Sequence, residues 1–218
     1  MKPVIIKDLE QGTPEWHATR RGIPTASNFG KIITGTTLKK SASAAKYQRE
    51  LCGALLGGDP EFQGNKWTDR GTDLEPEARA WYEFEHDATV DEVGFVFGDE
   101  SKSFGCSPDG FVDVDGGIEI KCPSASVHVE YMLKPKLLPC AYISQVRGTL
   151  FVTGREYWDF VSYYPGVRPV VIRTFATDTK QIEWVDAFKV LLAEFLKDLE
   201  AMKTKLGIVT VENVDCPW

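Results

Sequence analysis

The sequence predicts an α/β fold with a mixed central sheet flanked by helices, and three observations carry that expectation. Residues 104–123 read as two short strands joined by a tight Asp115-Gly116-Gly117 turn. Further strand-length apolar runs stand at 89–97, 157–164 and 169–175. Stripes of helical period occupy 68–86, 141–152 and 179–205. Strands interleaved with helices are the pattern of a sheet with helices packed on it. No internal repeat, low-complexity run or linker divides residues 1–218, so a single domain is expected.

Composition narrows the class. Hydrophobic residues make up 43% of the 218 and charged residues 26%, as in an ordinary water-soluble chain with a real core. The net charge of −7 argues against a general nucleic-acid coat. It leaves room for a local basic groove or bound cations within an acidic surface. Five cysteines, Cys52, Cys106, Cys122, Cys140 and Cys216, include no Cys-x-x-Cys pair, so neither a disulfide framework nor a zinc site is indicated. The three histidines, His17, His86 and His128, lack metal-ligand spacing. The N-terminus has no long apolar run and no stretch approaches a membrane span, so no membrane association and a cytoplasmic location are expected.

The elements follow in order. After an apolar run at Val4-Ile5-Ile6, Thr13 and Pro14 suit the N-cap and first position of a short helix ending near Arg20 and Arg21. Thr25 or Ser27 caps a helix that buries Phe29, Ile32 and Ile33; its N-terminus with a free hydroxyl is also a ready phosphate site, and the plain cap is the simpler reading. A polar, locally basic segment at 36–48, with Lys39 and Lys40, leads to a helix through Leu51 and Leu55 that Gly57-Gly58 stops. The helix over 68–86 carries Leu74, Ala78, Trp81 and Tyr82 on one face, and Pro76 places its regular part from about Asp73. Glu75 lies at the edge of that face, either half-exposed or recruited to a site. Residues 89–97 read as one strand and 124–138 as a polar connection. A helix from about Ala141 to Val152 points Ile143, Val146, Leu150 and Phe151 inward, with Gln145 and Arg147 beside them. The helix over Thr179–Lys205 aligns Ile182, Val185, Phe188, Leu191, Leu192, Phe195, Leu196 and Leu199 as core or subunit interface.

Chemistry concentrates in the hairpin. Glu119 and Lys121 are two apart on a strand and share a face, while Ile118 and Ile120 point the other way. Folding the hairpin at Asp115–Gly117 returns Asp109 close to the level of Lys121, on strands roughly 5 Å apart. Two carboxylates and a lysine at one strand end suit a hard divalent cation, which fills its remaining coordination sites with water and phosphate oxygens. Ser-Pro-Asp-Gly alone is a good turn, and Glu-Ile-Lys alone is an ordinary strand with a solvated face. Their combination across the turn is far more specific. It resembles the signature of the PD-(D/E)xK nuclease superfamily, with Pro108-Asp109 and Glu119-Ile120-Lys121 as its halves, which implies a restriction-endonuclease-like core.

Over residues 12–165 the chain further resembles the lambda exonuclease family of viral recombination nucleases, the YqaJ-like branch of that superfamily. Five blocks stand in order: Trp16-His17-x-x-Arg20 with Thr25-Ala26-Ser27; Gly71-x-x-x-Glu75 with Ala78-Arg79; Cys106-Ser107-Pro108-Asp109-Gly110; Glu119-Ile120-Lys121-Cys122-Pro123; and Gln145-Val146. The resemblance implies a Mg²⁺-dependent enzyme, with Mn²⁺ as a possible substitute, that degrades one strand of linear duplex DNA from the 5′ end. It leaves a 3′ overhang for phage-type recombination. By the same resemblance Asp109, Glu119 and the Ile120 carbonyl bind the ion and Lys121 serves the nucleophilic water. Glu75 helps with a second ion or with water, and Gln145 supports the site. Arg20, Ser27 and Ser107 form a 5′-phosphate pocket. A homotrimer, a single-strand annealing partner and a phage or prophage origin in a bacterial host are implied too. The chain departs from the pattern at Arg147, where a second glutamine is expected, which puts only the supporting role of that helix in doubt. Two alternatives stay open: another endonuclease or repair nuclease module on the same core, against which the Trp16…Arg20…Ser27 block argues, and a non-catalytic DNA-end-binding module, against which the intact Asp109, Glu119 and Lys121 argue.

Overall fold

The computed structural model describes residues 2–58 and 66–208. The element order is β1 (Val4–Ile6), α1 (Pro14–Thr19), a 3₁₀ turn (Ala26–Lys31), α2 (Ala44–Leu55), α3 (Lys66–His86), β2 (Val90–Asp91), β3 (Phe95–Phe97), β4 (Gly105–Cys106), β5 (Gly110–Val112), β6 (Gly116–Lys121), α4 (Ala125–Leu133), a 3₁₀ turn (Cys140–Tyr142), α5 (Ile143–Thr153), β7 (Tyr157–Ser162), β8 (Val170–Phe175) and α6 (Thr179–Lys205). The strands form two sheets, β1-β3-β4 and β2-β5-β6-β7-β8. The larger one is mixed: β6 runs parallel to β7, and the other pairs are antiparallel. A parallel pair needs a crossover, and residues 122–156 supply it through α4 and α5.

β6 lies at the centre of the larger sheet with both faces covered. Ile118 and Ile120 join Ala78 and Tyr82 of α3, with Val90, Val112, Val161 and Tyr163, in one apolar cluster. The opposite face meets α5 and α6 through Val146, Leu150, Trp158, Phe160, Trp184 and Phe188. Tyr82 donates to Asp159 on β7 at 2.6 Å, and Arg173 on β8 donates to the same carboxylate through two bonds of 2.9 and 2.7 Å, so this wholly buried charge is paired.

Several boundaries differ from the sequence expectation. The strand foreseen over 89–97 is two strands in two different sheets, β2 and β3. Side chains interrupt the ladder between them: Gln11 Nε2 donates to the Val93 carbonyl at 2.9 Å and Trp16 Nε1 to the Gly94 carbonyl at 3.2 Å. The hairpin turns at Asp113–Asp115, with Asp113 at φ 44°, and not at Asp115–Gly117. Gly116 and Gly117 belong to β6, where their bare backbone admits aromatic rings. A Cβ on Gly117 would lie 2.0 Å from the Trp158 ring and one on Gly116 2.1 Å from the Tyr157 ring. The connection foreseen at 124–138 contains α4, whose buried His128 bonds Ser162 and the Arg168 carbonyl. α3 begins at Lys66 and carries Pro76 inside it; packing of its Ala78–Tyr82 face offsets the one main-chain donor that proline lacks.

Residues 26–31 form a 3₁₀ turn instead of an α-helix, and the Thr25 side chain makes no capping bond. α6 keeps its foreseen bounds, burying Trp184, Phe188, Leu192, Phe195 and Leu199, but Ile182 of the expected stripe is 49% exposed. Cys216 lies outside the described residues. Among those residues, no helix is long and apolar enough to cross a membrane.

The glycine role is testable. Gly117→Ala forces a methyl into a buried, rigid indole, and overpacking of this kind costs about 1–3 kcal/mol. The denaturant midpoint should fall accordingly, and an unchanged midpoint would show that the ring can yield.

Candidate active site

The β5–β6 register pairs Gly110 with Ile118, which brings Asp109 to the level of Glu119. Asp109 Oδ2 accepts from the Ile120 amide at 2.6 Å, so the strand's own backbone fixes that carboxylate. Glu119 and Lys121 share the face turned towards α5. Glu119 is 1% exposed; its Oε1 accepts from Lys121 Nζ and from Gln145 Nε2, one turn into α5. Its Oε2 is buried with no hydrogen-bond partner. Glu75 reaches the group from α3, where Arg79 Nη2 donates to its Oε1 at 2.8 Å.

These carboxyls titrate abnormally. Burial, reinforced by the Asp109 charge, pushes Glu119 up to about 8 and Glu75 up to about 7. Burial opposes the charge on Lys121, but Glu119 and Asp109 outweigh it and hold the ammonium protonated. A buried carboxylate with one orphaned oxygen, crowded by a second carboxylate, is a cation site by its chemistry. Among the described residues, no group of three or more His, Cys, Asp or Glu side chains is arranged to hold a metal ion. The donors on offer are two carboxylates, Asp109 and Glu119, with main-chain oxygen. Such a set suits Mg²⁺, which keeps water and phosphate in its coordination sphere.

A second cluster adjoins the first. Thr13 caps α1 by accepting from the Trp16 amide, with Pro14 behind it, as the sequence implied. α1 delivers Trp16 and Arg20, whose guanidinium lies 4.0 Å above the Trp16 ring centroid. Trp16 Nε1 donates to Ser107 Oγ at 3.0 Å. Arg20 Nη2 donates to Thr25 Oγ1 at 3.4 Å, and Thr25 Oγ1 lies 3.3 Å from Ser27 Oγ. Thr25 bridges to Gly105, which seats the cluster beside the strand that leads to Ser107 and Asp109. Burial lowers the Arg20 pKa, and among the described residues Arg20 forms no salt bridge. A partly buried guanidinium without a carboxylate is a ready counter-charge for an anion.

The structure thus gathers Asp109, Glu119, Lys121, Gln145 and Glu75 in one group, and Arg20, Ser27 and Ser107 in its neighbour. Arg147 turns away: its Nη1 donates to the Lys180 carbonyl, tying α5 to α6. Lys40 pairs with Glu194 on the surface. Sequence reasoning offered Thr25 only as a helix cap or phosphate-site hydroxyl, and gave Trp16 and Arg79 no role of their own here. Trp16 and Thr25 stand in the block that carries Arg20 and Ser27, and Arg79 follows Glu75 by one helical turn, the spacing of a helix-surface pair.

The crowding makes a prediction about stability. In EDTA, Asp109→Asn should exceed wild type by about 0.5–2 kcal/mol, because the charge opposing Glu119 is gone while the amide oxygen can still accept from Ile120. The folded pKa of Glu119 is raised, so its contribution is intact at low pH and lost as pH rises through about 8. The gap between the two proteins should therefore widen from pH 5 to pH 9, and denaturant titrations at both values would reveal a gap that instead stays constant.

Comparison with known proteins places this geometry. Among curated proteins nothing matches significantly. Among solved structures the chain is similar to the alkaline exonuclease LHK-Exo from Laribacter hongkongensis, at 36% identity and a TM-score of 0.73, over 89% of this chain and 98% of that one. The same values hold for LHK-Exo in complex with dAMP. A phage-related exonuclease from Haemophilus somnus 129PT, 17% identical over 83% of this chain and 96% of that one, has a TM-score of 0.60 and shares the fold. The expected PD-(D/E)xK fold, a mixed sheet with flanking helices, is thereby shown. The model of the YqaJ-like viral recombinase domain matches residues 15–156, a span that holds both clusters, and the chain belongs to that family.

Proposed function

We propose that the protein is a Mg²⁺-dependent exonuclease, with Mn²⁺ able to substitute, that digests one strand of linear duplex DNA from the 5′ end and leaves a 3′ overhang. The observation that carries this reading is the juxtaposition, through the short segment Ser107–Asp109, of a carboxylate group with an orphaned buried oxygen and a partly buried guanidinium without a salt bridge among the described residues. The similarity to the alkaline exonuclease LHK-Exo supports DNA as the substrate. Recombination by strand annealing, a homotrimer, a phage or prophage origin and a cytoplasmic location complete the proposal; they rest on the family. The tryptophans Trp158 and Trp184 do not serve a subunit interface, since both are core, and Trp218 lies outside the described residues.

Asp109, Glu119 and the Ile120 carbonyl would hold the cation, with Glu75 and Gln145 beside them. A divalent ion there supplies neutralisation of charge on the phosphate and a more acidic water. Lys121, kept protonated, holds Glu119 and offers its remaining N–H groups to orient a water beside the phosphate. Gln145 fixes the same carboxylate oxygen from α5. Arg20, Ser27 and Ser107 would grip the terminal 5′-phosphate next to these groups, which sets the polarity of digestion.

Asp109→Ala, Asp109→Asn, Glu119→Ala and Lys121→Ala should each abolish cleavage of end-labelled linear duplex while keeping a cooperative unfolding transition. Wild type should cut in Mg²⁺ and not in EDTA; turnover near wild type in any of the four variants would remove the assignment.

A charge-assisted contact is worth roughly 1.5–3 kcal/mol, or about 10- to 150-fold in rate. Duplexes with a 5′-phosphate should accordingly be digested more than about tenfold faster than 5′-hydroxyl duplexes. Arg20→Ala should erase most of that preference and Arg20→Lys should restore part of it. Equal wild-type rates on the two ends would rule the pocket out.

A further inference from the structure

Arg79 is the residue with the widest reach around the carboxylates. Its Nη2 donates to Glu75 Oε1 at 2.8 Å and to the main-chain carbonyl of Asp109 at 3.3 Å. Its Nη1 pairs with Glu92, in the crossover between β2 and β3. The side chain is mostly buried, 15% exposed, and its Nε is wholly buried without a partner. One planar fork therefore spans three separate pieces of chain: helix α3, the β2–β3 crossover, and the loop that ends in Asp109. The Glu92 arm is on the surface and contributes little energy. The other two bonds leave from one nitrogen, and they join the Glu75 carboxylate to the backbone of the very residue whose charge opposes it.

Glu75 needs such a tie. It stands on a helix while Asp109 and Glu119 stand on the hairpin, and no strand ladder sets the distance between them. Two carboxylates that repel drift apart unless something rigid holds both. A lysine at this position ends in a compact ammonium with no plane to fix the directions of its bonds to Glu75 and the Asp109 carbonyl, and it has no second nitrogen for Glu92.

We propose that Arg79 is a positioning residue: it holds Glu75 at a set separation from Asp109, so that the helix carboxylate supports, through water, a cation held by the hairpin's two carboxylates. This rests on the nuclease reading above. Arg79 touches neither cation nor DNA; it acts through Glu75.

The test uses Arg79→Lys, which keeps the charge, in the full-length protein. Removing a residue that orients a ligand typically costs about 10- to 100-fold in metal affinity or activity. Binding of Mn²⁺, followed by the loss of the free-ion paramagnetic resonance signal, should weaken by about tenfold or more. With Mg²⁺, kcat on linear duplex should fall by a similar factor with KM for DNA ends unchanged. In a Glu75→Gln background, Arg79→Lys should add less than about a twofold effect on either quantity, because coupled residues are not additive. Wild-type Mn²⁺ affinity in the variant would overturn the proposal, and so would a full, additive loss in the double variant, which a purely structural role of Arg79 would give. If the wild-type protein binds Mn²⁺ but cuts no DNA, the nuclease reading fails while the binding arm still decides the role of Arg79.

Discussion

Glu119 occupies the central strand of the larger sheet, enclosed on both faces, with its carboxylate 1% exposed. Placing an ionised carboxylate there costs several kcal/mol unless partners replace the lost water. Lys121 and Gln145 satisfy one oxygen, and the second oxygen is left with nothing. Much of the architecture is the means of tolerating this group. The parallel β6–β7 pair demands a crossover, and that crossover delivers α5 and Gln145 over the charged face. Ile118 and Ile120 on the other face anchor the strand against α3, so the carboxylate cannot swing to solvent without tearing out two buried side chains.

The second dependence is between the sheets. The five-stranded sheet carries the carboxylates; the three-stranded sheet, with α1 leaning on it, carries the guanidinium and hydroxyls. Residues 92–94 and 107–109 both pass from one to the other, and Gln11 ties the two passages together by donating to the Val93 carbonyl at 2.9 Å and the Pro108 carbonyl at 2.8 Å. Trp16 adds its bonds to Ser107 and the Gly94 carbonyl. The anion cluster and the carboxylate cluster therefore share one rigid frame, as a reaction at a fixed distance from a strand end requires.

Electrostatics binds the two clusters in function. One side has more negative charge than it can pair internally, and the other has a desolvated positive charge without a carboxylate. A cation on the first and a phosphate on the second would relieve both. Asp159 forms the instructive contrast: it is equally buried, yet Tyr82 and Arg173 satisfy it completely, and it serves the fold alone. Satisfaction, more than burial, distinguishes Asp159 from Glu119, whose Oε2 has no partner.

The residues themselves singled out the candidate groups and much of where they lie. Alternation along β6 put Glu119 and Lys121 on one face, because strand side chains alternate whatever surrounds them, and helical period marked α6 from Thr179 to Lys205 for the same local reason. Thr13 and Pro14 announced α1. What tertiary structure alone decided is whatever depends on distant partners. The 89–97 run became two strands because Gln11 and Trp16 take its carbonyls, and Gly116 and Gly117 serve Tyr157 and Trp158 instead of the turn. Arg79 and Thr25 acquire roles only when α3 meets the hairpin and residue 25 meets Gly105. Periodicity is a property of neighbours in the chain, whereas an unpartnered oxygen or a bridging guanidinium is a property of neighbours in space.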